Sequence, residues 1–291
     1  MRSRKRPLRG IRRWAFSSSS FWSGCPVALP SVVLQALHGF FSLLFPDECR
    51  ICKTGLNGFT RVPVCAQCLK APEPLAAGYF CVTCRTPFQN SFPLDELGRC
   101  GLCRAGARAF DMAYCYGAYE GSLRELIHLL KYGGMKPLAP LLAAHLASAL
   151  PRDQQFDLVV PMPLHWQRRW RRGFNQSELL ARPIARRCGV PVENAVRRTR
   201  STVAQAGLSN ARRRENVAGA FRVRKPERVS GRRVLLIDDV MTTGATASAC
   251  ALAMKRAGAR SVTLLALARV DRRLFEPDPF EPNQRVSQEV A

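Results

Sequence analysis

Val234-Leu235-Leu236-Ile237-Asp238-Asp239-Val240-Met241-Thr242-Thr243-Gly244-Ala245-Thr246 joins an apolar run, an acid pair and a threonine-glycine loop. Four consecutive apolar residues before the acids fit a parallel strand covered on both faces. The periodic stretch from about Ala245 to Ala257, closed by Gly258, fits a helix. The loop therefore falls at the carboxyl end of a strand, where the first N–H groups of the helix lack intrahelical partners and can cradle a phosphate. Gly244 allows close backbone approach, and the hydroxyls of Thr242, Thr243 and Thr246 add hydrogen bonds. Asp238 and Asp239, at the same rim, are placed to accept from the vicinal hydroxyls of a ribose. A Walker-type ATP loop does not fit, because no Gly-Lys-Ser/Thr completes it.

Working outward, 291 residues suffice for one sizeable domain and a small one. The formal net charge of +24 draws polyanions, whether phosphorylated small molecules, nucleic acid or an anionic membrane surface, and does not choose among them. Residues 1–26 carry seven Arg/Lys in the first thirteen positions and then the Ser17–Ser20 run, and read as a disordered leader. The apolar segment from Val27 to Phe45 is interrupted by Pro30, Gln35 and His38, which favours a short amphipathic helix over a transmembrane anchor. A cytoplasmic protein is expected.

Cys49-x2-Cys52, Cys65-x2-Cys68, Cys81-x2-Cys84 and Cys100-x2-Cys103 are four knuckles separated by 12, 12 and 15 residues. Two thiolates three positions apart bind one metal from a tight turn, and two such pairs close a tetrahedral four-sulfur site. Successive pairing gives two structural Zn2+ sites, Cys49, Cys52, Cys65 and Cys68 in one, Cys81, Cys84, Cys100 and Cys103 in the other. A disulfide framework needs an oxidising compartment, and an iron–sulfur cluster is the other outsider. Cys25, Cys115, Cys188 and Cys250 have no partner at metal spacing and read as ordinary apolar or solvent positions.

Between the knuckles and the opening motif, Phe110–Tyr119 reads as a strand. Ser122 is the expected cap of a helix from Leu123 to Lys131, and Asp157–Pro161 reads as a second strand. Pro161-Met162-Pro163-Leu164-His165 and the basic run that follows, with Arg168, Arg169, Arg171 and Arg172, are expected to form a non-helical loop before a helix from Ser177 to Arg187. The polar, basic stretch from Arg197 to Asn216, including Arg212 and Arg213, reads as a mobile loop leading into a short helix.

The Val234–Thr246 run closely resembles the 5-phosphoribosyl-1-pyrophosphate (PRPP) signature of type I phosphoribosyltransferases. That resemblance implies that Asp238 and Asp239 hold the ribose hydroxyls. Thr242, Thr243, Gly244, Ala245 and Thr246 hold the 5-phosphate, Mg2+ accompanies PRPP, and Pro161–His165 takes the place of the pyrophosphate loop. The Arg197–Asn216 stretch falls where such enzymes keep a lid.

Adding the knuckles, Val-Pro-Met-Pro-Leu-His, Arg-Arg-Gly-Phe-Asn-Gln, Gln-Ala-Gly-Leu-Ser and Arg-Arg-Glu-Asn-Val-Ala-Gly-Ala-Phe, the chain from about Phe45 to Val270 looks like the ComF family of competence-associated proteins. Members are linked to natural transformation, where incoming single-stranded DNA is handled on the cytoplasmic side, and some carry a gluconate-utilisation name.

The expected architecture is therefore α/β: a Rossmann-like, mainly parallel type I phosphoribosyltransferase domain over residues 110–275, preceded by an apolar helix and double zinc ribbon over 27–109. A disordered tail is expected over 276–291. The resemblance implies PRPP as ligand, with single-stranded DNA and a competence helicase or uptake machinery as partners. The basic arginines are candidates for nucleic-acid or lid contacts, and no catalytic residue is assigned. An active transferase of nucleotide or salvage metabolism without a DNA role stays open, as does a regulatory or scaffold role without chemistry.

Overall fold

The computed structural model describes residues 48–56, 61–200 and 217–270. The leader, the Val27–Phe45 segment, the tail and most of the Arg197–Asn216 stretch, with Arg212 and Arg213, lie outside the described residues.

The central element is a four-stranded sheet in the order β3-β8-β7-β4, every neighbouring pair parallel. Its strands are β3 (Met112–Ala118), β4 (Leu158–Pro161), β7 (Arg233–Met241) and β8 (Ser261–Arg269). Parallel strands need covering on both faces, and the side chains show it by alternation. Leu235, Ile237, Leu265 and Leu267 point to one layer, where they meet Leu126, Leu142, Leu180 and Ile184. Val234, Leu236, Val262 and Leu264 point to the other, against Cys250, Ala251 and Met254. The first layer is α3 (Gly121–Lys131), α4 (Leu138–Ser148) and α6 (Gln176–Cys188); the second is α8 (Ala245–Arg256) with the short antiparallel pair β5 (Val196–Arg198) and β6 (Phe221–Val223).

This arrangement fixes where a ligand can bind. β4 leads to α6 on one face, and its neighbour β7 leads directly to α8 on the other. A crevice therefore opens beyond the carboxyl ends of these two strands, the switch point at which open α/β sheets bind ligands.

Three local expectations are corrected. The helix α3 begins at Gly121 with Glu120 at its N-cap and no side-chain capping bond, so Ser122 is not the cap. The segment after Pro163 is not all loop: Trp166–Arg172 winds a short helix, α5, from His165 to Gly173, which ends it at φ 75°. Proline restricts its own φ and the residue before it, so its influence stops at Leu164 and the Gln- and Arg-rich run is free to coil. Arg197 and Arg198, expected in a mobile loop, belong to β5. A short helix α7 (Pro226–Val229) precedes β7.

The amino-terminal portion is built from two similar knuckle pairs. In the first, Cys65 is the N-cap of α1 (Ala66–Lys70). In the second, the hairpin of β1 (Tyr79–Phe80) and β2 (Pro87–Phe88) holds Cys81 and Cys84 in its turn, and Cys100 is the N-cap of α2 (Gly101–Arg104). Among the described residues no helix is long and apolar enough to cross a membrane.

Candidate functional site

The two cysteine clusters repeat one another in detail. Within each predicted foursome the sulfur atoms all lie within 4.8 Å of one another. Cys52 and Cys65 are 3.6 Å apart, Cys84 and Cys100 3.7 Å. Four thiolates around one ion at the usual zinc–sulfur length form a tetrahedron with edges of about 3.8 Å, so both clusters fit zinc.

In each, the first sulfur accepts a backbone N–H at 3.3 Å, from Cys65 to Cys49 and from Cys100 to Cys81. The residue after the second cysteine, Lys53 or Arg85, takes a left-handed turn at φ 63° or 51°. A threonine two positions beyond that cysteine meets its sulfur, Thr54 at 3.3 Å and Thr86 at 2.9 Å. Hydrogen bonding from Cys100, then Cys103, holds the Cys81 thiol down at about 6, while Cys103 is pushed up by Cys100 and then Cys81. A metal cation, which displaces thiol protons when it binds, fits four sulfurs held this close. Cys250 is fully buried, and Cys115 and Cys188 are partly buried and belong to neither cluster.

The crevice at the ends of β4 and β7 has a volume of ≈ 780 Å³. Its floor is the acid pair. Asp238 and Asp239 are both buried, 9% and 5% exposed. Asp238 Oδ1 accepts the Asp239 N–H at 2.9 Å and the Ser177 hydroxyl at 3.4 Å, and Asp239 Oδ1 accepts the Val240 N–H at 2.7 Å. Lys131, the last residue of α3, places its Nζ 3.0 Å from Asp239 Oδ2. Burial, then the neighbouring Asp239 carboxylate, pushes the Asp238 carboxyl up to about 8. Burial opposes the charge on Lys131, but the Asp239 carboxylate outweighs it and holds the ammonium above its ordinary range.

One wall is the loop after β7. Thr242, Gly244 and Thr246 line the crevice, whereas Thr243 and Ala245 are buried behind it. The Thr243 hydroxyl accepts the Ala245 N–H at 3.3 Å and so braces the first turn of α8. Gly244 is the N-cap, at φ 75°; a Cβ there would stand 2.8 Å from Met241 Cε and 3.0 Å from Arg108 Nη1. Only glycine fits both the left-handed backbone and that space.

The opposite wall is the loop after β4. Met162, Pro163 and Leu164 face the crevice. Pro161 lies within β4 in register with Ile237, and His165 is buried at the start of α5. Asn175 holds this loop in place: its Nδ2 donates to the Met162 carbonyl at 3.0 Å while its Oδ1 caps α6 through the Ser177 N–H at 3.1 Å. Arg168, Arg171 and Arg172 line the crevice together with Arg198 from β5. Arg169 turns away to Glu178 at 3.6 Å.

The structure therefore brings together the acid pair, three loop residues after β7, three after β4 and three of the four arginines of α5. Lys131, Ser177, Asn175 and Arg198 complete the site without having been singled out from the sequence. Asn175 and Ser177 carry a legible signal, an Asn-x-Ser start to a helix. Lys131 and Arg198 carry none, since their approach depends on the packing of distant elements.

A parallel sheet with an acid pair and a glycine-gated loop at its switch point defines a phosphoribosyltransferase-type domain, and a model of the phosphoribosyl transferase domain matches residues 174–281. Over 239 residues the chain is 35% identical to the DNA utilization protein YhgH of Escherichia coli (strain K12), covering 78% of this chain and 99% of that protein. It is 31% identical to competence protein F of Haemophilus influenzae, covering 77% and 98%, and 27% identical to competence protein ComFC of Bacillus subtilis, covering 77% and 86%. The chain belongs to this family, ComF/YhgH, and joins a phosphoribosyltransferase domain to an amino-terminal region bearing two four-cysteine clusters.

Proposed function

We propose that the crevice binds PRPP and that the protein acts in DNA uptake or the handling of single-stranded DNA in the cytoplasm. Asp238 and Asp239 accept from the ribose hydroxyls, and the Thr242–Thr246 loop receives the 5-phosphate at the start of α8. Met162–Leu164 and the arginines of α5 face the pyrophosphate. The observation that carries this reading is the opposition, across one crevice, of a buried acid pair to four arginines and a helix start. That is the charge distribution of a phosphosugar with anionic ends and a neutral diol between. Mg2+, when bound, neutralises pyrophosphate charge; the crevice acids suit a hydrated ion of this kind.

Zinc at both four-cysteine clusters is structural, because four thiolates leave no open position. The reduced thiols at metal spacing support a cytoplasmic setting, and the names of the relatives support a role with DNA.

A transferase acting on a flat acceptor is the second reading. Tyr132, largely exposed, lines the same crevice beside Arg172 and supplies an aromatic surface near which a flat acceptor could pack.

Titration calorimetry of the zinc-loaded protein with PRPP and Mg2+ tests the site. Binding is expected in the parent and lost in Asp238→Asn/Asp239→Asn with zinc content intact; equal affinity in both removes the assignment. Release of pyrophosphate on adding a base acceptor separates the transferase from a binding protein. Oligonucleotide binding that weakens steeply with salt supports the DNA role.

A further inference from the structure

The helix α5 has two unlike faces. Arg168, Arg171 and Arg172, spaced three and four apart, line the crevice. Trp166 and Trp170, four apart, share the other side and are 67% and 83% exposed. None of the seven residues of α5 is buried, so the indoles are not core residues. The Trp166 ring centroid lies 5.7 Å from that of His165, the residue before it. Tyr132, 72% exposed, stands at the crevice rim beneath Arg172, whose guanidinium carbon is 5.3 Å from the ring.

The surroundings of the indole face decide what it fits. Arg169 and Arg182, both largely exposed, share the single carboxylate of Glu178 at 3.6 and 2.9 Å, which leaves a positive excess beside the tryptophans. On the helix surface Gln167 and Arg169 lie beside the two rings, so the exposed indoles have polar and cationic neighbours. Flat rings beside cations match a ligand that alternates flat bases with phosphates, and base stacking of this kind tolerates any sequence.

We propose that the Trp166/Trp170 face of α5 is a base-stacking platform for single-stranded nucleic acid, and that nucleic acid and the phosphoribosyl ligand occupy opposite faces of this helix at the same time. This rests on the DNA role proposed above and gives it a location.

The test uses the full-length, zinc-loaded protein and a fluorescein-labelled oligo-dT of about twenty nucleotides, a length that spans the platform with flanking backbone. Anisotropy is read for the parent, Trp166→Ala/Trp170→Ala and Trp166→Phe/Trp170→Phe. Loss of affinity of at least about tenfold is expected for the alanine pair, with most of it restored by phenylalanine. Because both indoles are exposed, the melting temperature and the calorimetric PRPP affinity should stay at parental values. Saturating PRPP should leave oligonucleotide bound.

Parental oligonucleotide affinity in the alanine pair overturns the platform while leaving the DNA role standing, whereas no binding by the parent at low salt sinks both. Complete displacement by PRPP refutes simultaneous occupancy. Tryptophan-dependent binding to phosphatidylcholine/phosphatidylserine vesicles without oligonucleotide binding assigns the face to a membrane instead.

Discussion

Replacing Lys131 by Met removes the cation that faces the acid pair, and its cost can be worked from the geometry. The Lys131 and Asp239 side chains are 13% and 7% exposed and 3.0 Å apart, so little solvent screens them. Methionine keeps the length and apolar stem but leaves Asp239 without its ion-pair partner beside the buried Asp238. Removing one partner of a buried pair costs about 3–5 kcal/mol, and for a chain of this size roughly 3 kcal/mol lowers the melting temperature by about 6–12 °C.

The pH dependence gives the sign. Asp238 already sits high, at about 8, because it is buried beside Asp239. Losing the ammonium favours the neutral Asp238 carboxyl further, so the deficit of Lys131→Met should be largest near pH 8 and shrink as the pH falls toward 5. Thermal unfolding of zinc-loaded protein across that range measures it. Lys131→Met/Asp239→Asn should recover most of the loss, since removing both partners of a buried pair is often close to neutral. A single variant as stable as the parent at pH 8, or a double variant no better than the single, refutes the idea that Lys131 neutralises the acid floor.

Gly244→Ala forces a Cβ into a left-handed position against Met241 and Arg108; a loss of about 1–2 kcal/mol in stability and a large drop in PRPP affinity are expected by denaturant melts and calorimetry. The folded-state pKa of Asp238 is raised, so its stabilising contribution is full below its unfolded value of 3.8 and disappears as the pH rises through about 8. Asp238→Asn should therefore flatten the stability–pH curve between those limits, and an unaltered curve would show that another group titrates there. Chelation should release about two zinc ions per chain, one for each four-cysteine cluster, and unfold the amino-terminal region; metal analysis finding about one or none contradicts the two-site reading.

Periodicity and spacing carried the fold because they are local. Val234–Ile237 is apolar at every position since both faces of β7 are covered, and the four Cys-x2-Cys pairs close on themselves through turns that the sequence writes directly. Leu138–Ser148 offered no such signal. Its apolar residues run round the whole helix, and Pro140 reads as a breaker although it falls in the first turn, where N–H groups are unpaired anyway. Val262–Ala268 is an unbroken apolar run that fits a buried strand or a buried helix equally well. In Trp166–Arg172 an indole pair suggests packing by composition, yet none of the seven residues of the helix is buried. Residue type alone does not distinguish a packed tryptophan from a displayed one; only the neighbours do.

The contact that sequence could least foresee ties the second cysteine cluster to the Thr242–Thr246 loop. Arg269, at the end of β8 and 1% exposed, donates through Nη1 to the Cys84 carbonyl and through Nη2 to the Thr86 hydroxyl, both at 2.6 Å. Thr86 in turn meets the Cys84 sulfur. The same guanidinium reaches Met241 Sδ at 3.7 Å, one residue before Thr242, and Arg108 from the segment after Cys103 fills the space beside Gly244. The Ala109 N–H is accepted by the Ser248 hydroxyl in the early turns of α8 at 3.0 Å. A buried arginine is costly unless its donors are paired, and here the Cys84 carbonyl and the Thr86 hydroxyl take Nη1 and Nη2 while Nε has no partner. The knuckle is thus part of the wall behind the Thr242–Thr246 loop, and a metal bound by its four cysteines would also steady the backbone on which that loop rests. This makes the second cysteine cluster a brace for the crevice through its backbone, with no thiolate needed at the ligand.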